Sequence, residues 1–421
     1  MTLGIAPAAA QTASGFVPFG EFIQSVRSAN VAAFSGSRVS GAVEFNEMRQ
    51  YVLGLYDSVQ VHHSYALGSQ VFDCVPVAQQ PSARDLAPRA IAPPPPMPPG
   101  GGSAGAVQSV TQVDPQQRAD AYGNSIGCEA GTIPMRRVTL QELSRFQTLQ
   151  QFFRKSPDGT DDQHFNHGVG PSVTATHKYA HAYQNVTNYG GTSALNIWRP
   201  SINTAKQQVF SLSQHWYVNF ASGKTQTVEG GWQNYPQKYG SQNSALFIYW
   251  TADGYNKTGC YNLDCKAFVQ TYSSVHLGHG FSKYSTAGGS QYEFTLTWYL
   301  YQGNWWMGYG SNWVGYYPGS LWSNKNLAKS SSEIDYGGET VGTTTWPPMG
   351  GGSFASKGFK YAAFQRLIKY YNNNSGSGTV VNAMLTMQQP SPKCYTINVF
   401  NNSATNYKSY FYFGGPGGSG C

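Results

Sequence analysis

The carboxyl-terminal half of this 421-residue chain is predicted to be mainly β, as an antiparallel sandwich or barrel, behind a smaller unit that contains helices. Charged residues make up only 11% of the chain, whereas glycine and tyrosine are abundant, with 48 and 29 copies. That composition favours short strands joined by tight turns. From Val173 onward, segments rich in β-branched and aromatic residues follow one another without alternating helices, which is typical of antiparallel architectures.

Four segments of the carboxyl-terminal half carry the strand prediction. They are residues 208–220, 245–251, 291–301 and 304–310. Each is rich in aromatic or β-branched residues and is bounded by glycine, asparagine or serine. One helix is predicted in this half, from Tyr361 to Asn372, because its apolar residues recur at helical spacing.

The amino-terminal half is predicted to contain two helices. Apolar residues recur at helical spacing in residues 44–58 and again in residues 139–155, where Thr139 and Glu142 have capping-box spacing. Between them lies a proline- and glycine-rich insert, residues 90–106, which we expect to be extended and exposed.

A second stretch rich in polar residues, glycine and proline, residues 156–172, separates the two halves. It predicts domains at 16–170 and 171–421. Residues 1–15 have small residues like those of a signal-peptidase site but no basic or full apolar region, so they are interpreted as a signal-peptide remnant or a disordered terminus. No apolar run approaches the roughly 18 residues of a membrane span, so we expect no membrane association.

The two halves of the chain have opposite charge. Residues 1–170 contain 11 Lys or Arg and 13 Asp or Glu, a net charge of −2, whereas residues 171–421 contain 16 and 7, a net charge of +9. Opposite charges indicate two halves that can associate. The basic residues of the second half are scattered singly, which argues against a nucleic-acid partner.

Six cysteines allow fifteen pairings, and the sequence alone does not choose among them. Their even number and the lack of metal-ligand spacing favour an oxidising, extracytoplasmic compartment. His276 and His279 have no companion acid, so a surface loop is favoured over metal ligation, and we expect neither a metal nor another cofactor.

Two glutamates are the candidate catalytic residues. Glu229 lies in Val-Glu-Gly-Gly-Trp-Gln and Glu339 in Asp-Tyr-Gly-Gly-Glu-Thr, each beside a glycine pair at what we predict to be a strand end or bulge. Glycines there permit close approach of a ligand. Two carboxylates about 3 Å apart cannot both ionise, so one can activate water while the other binds a carbonyl. The alternative is that each glutamate is a solvated strand-end residue.

Long ordered stretches of residues 195–421 resemble one known family. They are FSLSQHWYV (210–218), VEGGWQNYPQKYG (228–240), LFIYWTADGYNKTGCYNLDCKAFVQ (246–270), GNWWMGYG (303–310), VGYYPGSLW (314–322), IDYGGE (334–339) and YFYFGGPGGSGC (410–421). In these stretches the chain resembles the neprosin family of glutamic endopeptidases. The amino-terminal half resembles the family's activation domain less closely, through FDCV (72–75) and the helix before FFRKSPDG (152–159).

The resemblance implies a two-sheet antiparallel β-sandwich behind a smaller, inhibitory α/β pro-domain. It implies a secreted enzyme, which we expect to be a monomer, that cleaves peptides and proteins after proline, in acid and without metal. It places the catalytic pair at Glu229 and Glu339, although Asp335 and Tyr336 depart from the family's more usual Gln/Glu-Trp. The implied disulfides are Cys74–Cys128, Cys260–Cys265 and Cys394–Cys421.

Proline specificity requires an apolar, aromatic pocket. The candidate substrate-binding residues are Trp232, Gln233, Trp250, Trp305 and Tyr336, and the alternative for each aromatic residue is a place in the sandwich core.

Activation by acid is the accompanying hypothesis. Histidines of the first half would charge below about pH 6, its acids would then neutralise, and the two halves would repel. These histidines are His62, His63, His164 and His167. Self-cleavage would follow at Pro171 or within residues 93–99. The rival interpretations are a carbohydrate- or cell-wall-binding sandwich and an inactive family member with a structural role.

Overall fold

The computed structural model describes residues 15–84, 91–100, 107–155, 177–220 and 223–421. Within these residues the chain forms an amino-terminal unit, residues 15–155, and a carboxyl-terminal sandwich, residues 177–421. The predicted boundary at 170/171, Pro171, His164, His167 and nearly all of the predicted terminal segment lie outside the described residues.

The amino-terminal unit packs short helices against a small antiparallel sheet. Its elements are α1 (Phe19–Ser28), α2 (Ala42–Leu55), β1 (Ser64–Leu67), β2 (Gln70–Pro76), α3 (Pro81–Arg84), β3 (Gln108–Ser109), β4 (Thr132–Arg136), α4 (Leu140–Leu143) and α5 (Leu149–Phe153). The predicted helix at 44–58 is confirmed as α2. The predicted helix at 139–155 is two short helices, and Thr139 caps the first by accepting a hydrogen bond from the Glu142 backbone N–H.

The carboxyl-terminal half is an antiparallel β-sandwich, as predicted. Its elements are β5 (His177–Asn188), β6 (Gly190–Asn196), β7 (Gln208–Asn219), β8 (Gln226–Asn234), α6 (Pro236–Tyr239), β9 (Ala245–Thr251), β10 (Cys260–Tyr261), β11 (Val269–Gln270), β12 (Tyr292–Tyr301), β13 (Asn304–Tyr309), β14 (Asn312–Pro318), β15 (Ser331–Gly342), β16 (Thr345–Trp346), β17 (Ala363–Tyr371), β18 (Val380–Asn382), β19 (Thr386–Gln388), β20 (Thr396–Phe400), β21 (Tyr410–Gly414) and β22 (Gly418–Ser419). All four predicted strands are present, as β7, β9, β12 and β13.

Two large sheets form the layers of the sandwich in the described residues. The first sheet has the order β10-β9-β8-β7-β15-β5-β19, and the second has the order β11-β14-β13-β12-β6-β17-β21-β20. β18 pairs with β17, and β3 from the amino-terminal unit adds to β12. Strand β7 therefore lies at the centre of the first sheet, between β8 and β15.

The helix predicted at 361–372 is wrong, because this segment is strand β17, which pairs with β6 and β21. The register of β17 shifts between Arg366 and Lys369, and Leu367 there adopts φ 58°. A bulge of this kind interrupts the two-residue alternation of a strand. The apolar residues on either side of it consequently have spacings that mimic those of a helix.

The two largest apolar clusters of the described residues hold the molecule together. The first lies between the sheets and includes Trp232 and Trp298. The second lies between the outer face of the first sheet and the amino-terminal unit, where Met48 and Val52 of α2 belong to one cluster with Trp216 of β7. The first sheet is therefore buried on both faces, and the amino-terminal unit covers the outer one.

The proline-rich insert is not simply exposed, which corrects the prediction for its described part. Residues 91–100 lie against the outer face of the second sheet, and Pro95 and Pro99 are buried there. Aromatic side chains of that sheet supply the apolar surface that the prolines cover.

All six cysteines are described, and they form the three disulfides that the resemblance implied: Cys74–Cys128, Cys260–Cys265 and Cys394–Cys421. The first of these ties β2 to the loop before β4, and the last fixes the terminal residue. Among the described helices, none has the length and apolar character needed to span a membrane.

Replacing Gly231 by alanine should destabilise the sandwich. A Cβ atom at Gly231 would lie 1.9 Å from the carbonyl oxygen of Ser213, so strands β7 and β8 would have to separate. We expect the free energy of unfolding in denaturant titrations to fall by more than about 3 kcal/mol. Gly54, on an open face of α2, is the matched control, and its replacement by alanine should be neutral or stabilising by up to about 1 kcal/mol. Equal losses for the two variants would contradict this account of Gly231.

Candidate active site

Glu229 and Glu339 lie within the two strands that flank β7. Glu229 pairs with Trp216, and Glu339 pairs with Leu212. Directly opposed residues of an antiparallel pair point to the same face, and so do residues an even number apart along one strand. Both carboxylates therefore point to the outer face of the first sheet, where both are fully buried. The interpretation of either as a solvated strand-end residue is wrong in this arrangement.

Gln214 of β7 lies between the two glutamates on the same face. It pairs with Gly231 on one side and Gly337 on the other, so no neighbouring side chain covers it from within the sheet. Its Nε2 donates a hydrogen bond to Glu339 Oε2 at 3.4 Å. The glycines are required chiefly by the adjacent strands, since a Cβ at Gly337 would lie 2.5 Å from the Ala180 carbonyl oxygen. The predicted reason, close approach of a ligand, is not the constraint that the structure shows.

Lys155, at the end of the amino-terminal unit, joins the two glutamates. Its Nζ lies 2.8 Å from Glu229 Oε2 and 2.8 Å from Glu339 Oε2. These two oxygens therefore cannot be farther apart than twice that distance. The ammonium is itself buried and lies 5.2 Å from the ring centroid of Trp216 and 5.6 Å from that of Tyr255. Tyr261 donates to the Lys155 backbone carbonyl at 3.2 Å, which fixes the chain as it enters the site.

The remaining oxygens of the pair have different partners. Glu229 Oε1 accepts hydrogen bonds from the hydroxyls of Thr227, at 2.7 Å, and Tyr255, at 2.6 Å. Glu339 Oε1 lies 2.6 Å from Nδ1 of His177. Hydroxyl donors stabilise a negative charge on the carboxylate that accepts them. Two hydroxyl donors and the Lys155 ammonium therefore hold the Glu229 carboxylate in place.

Tyr255 reaches Glu229 from a strained turn. Its backbone has φ 64°, in the left-handed region that costs a non-glycine residue free energy. Asp253 holds the turn by accepting hydrogen bonds from the Thr258 hydroxyl, at 2.7 Å, and the Lys257 backbone N–H, at 3.0 Å. Burial by itself raises the pKa of Asp253, but these hydrogen bonds outweigh it and hold the pKa below its usual value. The turn is thus built to present one phenol to the glutamate pair.

Four of the five candidate pocket residues face away from the glutamates, which corrects that prediction. Trp232, Trp250, Trp305 and Tyr336 belong to the core between the sheets. Trp250 and Tyr336 each lie an odd number of positions from a residue on the glutamate face, so strand alternation turns them inward.

The aromatic side chains that share the glutamate face include Trp216, Tyr249 and Tyr255. Gln233 also lies on this face and donates to the Tyr261 hydroxyl at 3.1 Å. Asp335 lies there too, paired with Nδ1 of His181 at 2.8 Å. The wall of the site is therefore aromatic, although not with the residues that the sequence suggested.

Comparison with known families supports the assignment of the second half. Residues 207–416 match the model of the Neprosin family. The carboxyl-terminal sandwich is a neprosin domain. One solved structure similar to the chain is that of scytalido-glutamic peptidase with a transition state analog inhibitor. It is 8% identical with a TM-score of 0.31, and the match covers 57% of this chain and 98% of that one, which is too weak to transfer residue roles.

Sequence reasoning missed three residues of the site: Lys155, Gln214 and Tyr255. Each lies in a stretch that resembles the family, but none is a carboxylate, and only spatial proximity distinguishes it from its neighbours. Lys155 had one signal in the sequence, because it is the single lysine of residues 1–170.

Among the described residues, the ion pairs between the amino-terminal unit and the neprosin domain have the opposite polarity to the one predicted from net charge. The overall charges suggested an acidic first half on a basic second half. Instead, Lys155 pairs with the two glutamates, and Arg136 lies 3.5 Å from Asp264 of the neprosin domain. In the described part of the chain, buried pairs at specific positions therefore connect the two parts.

His276 and His279 lie at the same interface, which corrects their prediction as a surface loop. Nε2 of His276 is 2.6 Å from the Tyr65 hydroxyl, and Nδ1 of His279 is 2.7 Å from Oε1 of Gln70. Both partners belong to the β1–β2 hairpin. Burial lowers the pKa of His276 to about 3, with a smaller contribution from His279, and lowers the pKa of His279 to about 4.

These two depressed pKa values predict that acid loosens the amino-terminal unit. A separated interface would let both imidazoles bind protons below their ordinary pKa of about 6.5. The docked state is therefore favoured fully above that pH and less as pH falls toward 4 and 3.

Replacing His276 by glutamine and His279 by asparagine, which do not titrate, should shift acid-induced separation to lower pH. Limited proteolysis and tryptophan fluorescence across pH 3–7 would measure the midpoint. His62→Asn is the control, since His62 pairs with Glu129 inside the amino-terminal unit. An unchanged midpoint in the double variant would contradict the role assigned to these histidines.

Proposed function

We propose that this protein is the latent precursor of a secreted, acid-active glutamic endopeptidase that cleaves peptide bonds on the carboxyl side of proline. The observation that carries the proposal is the pair of buried glutamates, Glu229 and Glu339, bridged by one ammonium group from the amino-terminal unit. Membership of the second half in the Neprosin family supports it.

In the proposed reaction, a water molecule replaces the Lys155 ammonium between the carboxyl groups. Ionised Glu229 takes a proton from this water, whose oxygen forms a bond to the scissile carbonyl carbon. Glu339, in its protonated form, gives its proton to the carbonyl oxygen as the C=O π bond breaks. Gln214 lies close enough to Glu339 to donate a further hydrogen bond to that oxygen.

The tetrahedral intermediate then collapses. The C–N bond breaks, the nitrogen takes the proton held by Glu229, and the intermediate's hydroxyl returns its proton to Glu339 as the C=O bond reforms. The pair ends with one proton, as it began. A cycle that needs one proton on two adjacent carboxyl groups is favoured in acid.

Latency follows from the position of Lys155. An ammonium bound to both carboxylates excludes the attacking water and removes the need for a shared proton. Removing one partner from a buried ion pair leaves uncompensated charge, which costs about 3–5 kcal/mol. The amino-terminal unit is consequently held most firmly while both glutamates are ionised.

Proline preference is assigned to the aromatic wall of Trp216, Tyr249 and Tyr255. A rigid, apolar ring packs well against flat aromatic faces. In the latent protein the Lys155 side chain lies beside two of these rings, so its departure would open the space that a proline ring needs. These residues replace the four inward-facing candidates.

Activation in this proposal begins at the His276 and His279 interface and ends with cleavage near Pro171. Secretion is supported by the three disulfides, which persist in oxidising compartments. The fold places one complete glutamate pair in one chain, in accord with a monomer.

The proposal predicts that Glu229→Gln and Glu339→Gln each abolish cleavage. The protein would be incubated at about pH 4 with a proline-containing peptide, and the products mapped by mass spectrometry. We expect a loss of at least about a thousandfold for each variant, because the general base or acid is removed. Glu333→Gln, which alters another buried glutamate of β15, is the matched control and should retain activity.

Three other results would count against the proposal. Equal cleavage by the wild type and both variants would place the reaction elsewhere or in a contaminant. Cleavage after residues other than proline at equal rates would support endopeptidase activity but contradict the proposed preference for proline. No cleavage even after acid pre-incubation would favour the carbohydrate-binding interpretation, in which both glutamine variants should still bind polysaccharide.

Replacing Lys155 by methionine should weaken latency. Methionine has a similar length but cannot pair with the carboxylates, so water and substrate would enter at a higher pH than in the wild type. Peptidase assays from pH 4 to 7, with gels to follow the precursor, would show earlier activity and processing. Arg38→Met, at an exposed site of the same unit, should behave as the wild type does. A Lys155→Met protein that folds but stays latent would contradict the assigned role.

A further inference from the structure

The outer face of the second sheet holds a proline-rich segment of the same chain. Residues 91–100 read Ile-Ala-Pro-Pro-Pro-Pro-Met-Pro-Pro-Gly and lie against an aromatic surface on β12, β13, β14 and β17. We name this surface the aromatic face; its members are Tyr299, Tyr301, Trp306, Trp313, Tyr316 and Tyr371. The glutamate pair lies on the outer face of the other sheet, so the two surfaces are on opposite sides of the sandwich.

Hydrogen-bond donors of this sheet are directed at the carbonyl groups of the segment. Trp313 Nε1 donates to the Met97 carbonyl at 2.8 Å. The hydroxyls of Thr192 and Thr297 donate to the Gly100 carbonyl at 3.0 and 2.9 Å. Proline has no N–H, so the carbonyls of a proline-rich chain depend on donors from outside the chain. Met97 and Gly100 are three residues apart, which is one turn of a polyproline helix.

The surface is also shaped to receive prolines. Pro99 is buried against Gly308, where an added Cβ would lie 2.4 Å from the proline Cβ. Pro96 is exposed but lies beside Gly376, where an added Cβ would be 3.2 Å from the proline Cγ. Glycine at these two positions leaves space for the pyrrolidine rings.

The aromatic rings form a packed platform rather than isolated exposed residues. The ring centroids of Trp306 and Tyr316 are 4.7 Å apart, and those of Tyr299 and Tyr371 are 4.5 Å apart. Aromatic grooves that recognise proline-rich chains gain affinity because such chains are already extended and lose little entropy on binding. The aromatic face combines these packed rings with hydrogen-bond donors and with space beside two glycines. A run of prolines from the same chain occupies it.

We propose that the aromatic face is a binding site for proline-rich polypeptides, and that residues 91–100 occupy it in the latent protein. Once the amino-terminal unit is released, proline-rich stretches of a substrate would bind there. Binding would raise the local concentration of the same chain's other proline bonds near the glutamate pair. This use of the site rests on the proposed peptidase function, whereas the binding itself does not.

The test removes residues 91–100 from the aromatic face while keeping the rest of the chain. Residues 91–100 are replaced by a glycine-serine segment of equal length, with Glu339→Gln added so that no probe is cleaved. The probe is a fluorescein-labelled decapeptide with the sequence of residues 91–100, followed by fluorescence anisotropy at pH 7. We expect saturable binding to the replaced chain and at least about tenfold weaker binding to Glu339→Gln alone, whose own segment competes at roughly millimolar effective concentration.

Two further variants test the contacts. In the replaced chain, Trp313→Phe keeps an aromatic ring but removes the N–H donor, and should weaken binding roughly three- to tenfold, as loss of one hydrogen bond does. Tyr122→Phe, at an exposed tyrosine of the amino-terminal unit, is the control and should bind as the replaced chain does.

The proposal is wrong if the replaced chain, with an unchanged melting temperature, does not bind the decapeptide. It is also wrong if a decapeptide with alanine in place of every proline binds equally well. In either case residues 91–100 would serve only to tie the amino-terminal unit to the sandwich. Because binding is measured without cleavage, these results are separate from failure of the peptidase assay.

Discussion

The Lys155 ammonium between Glu229 and Glu339 is the interaction on which the docked arrangement of the two parts depends. Two carboxylates buried on one sheet face repel each other strongly in a medium that screens charge poorly. A single cation between them removes that repulsion and satisfies both. The amino-terminal unit supplies it from its one lysine, just after α5, and its apolar core against β7 and β9 keeps that lysine in place.

The strand pairing of the first sheet determines where the two carboxylates approach each other. Strand β7 separates them, so they can approach only across its outer face, above Gln214 and between Gly231 and Gly337. Larger side chains at those glycines would collide with neighbouring backbone. Without the amino-terminal unit, the aromatic side chains and both carboxylates on this face would be exposed to solvent. The amino-terminal unit covers this face with helices and the opposite outer face with residues 91–100, so one segment of the chain masks both surfaces.

The sequence predicted the strands and, through resemblance, the disulfides and the proximity of Glu229 and Glu339, because each depends on local pattern or on long matching stretches. It did not predict which aromatic residues line the site. Alternation identifies two faces of a strand, but here both faces are apolar, so Tyr249 and Trp250 look alike in sequence and point in opposite directions. The bulge at Leu367 and the docking of residues 91–100 depend on partners distant in the chain.

Three buried histidines show why acid should act on the interface before the sandwich. His215 lies inside the neprosin domain, where burial lowers its pKa to about 3 and Ser193 lies 2.6 Å from its Nε2. Its ring is fully buried, so it becomes exposed to solvent only when the sandwich itself opens. His276 and His279 are covered by the small β1–β2 hairpin, so a local separation exposes them. Local openings cost less free energy than global unfolding. We therefore expect acid to loosen the contact of the amino-terminal unit at a pH at which the sandwich, with its glutamate pair, remains folded.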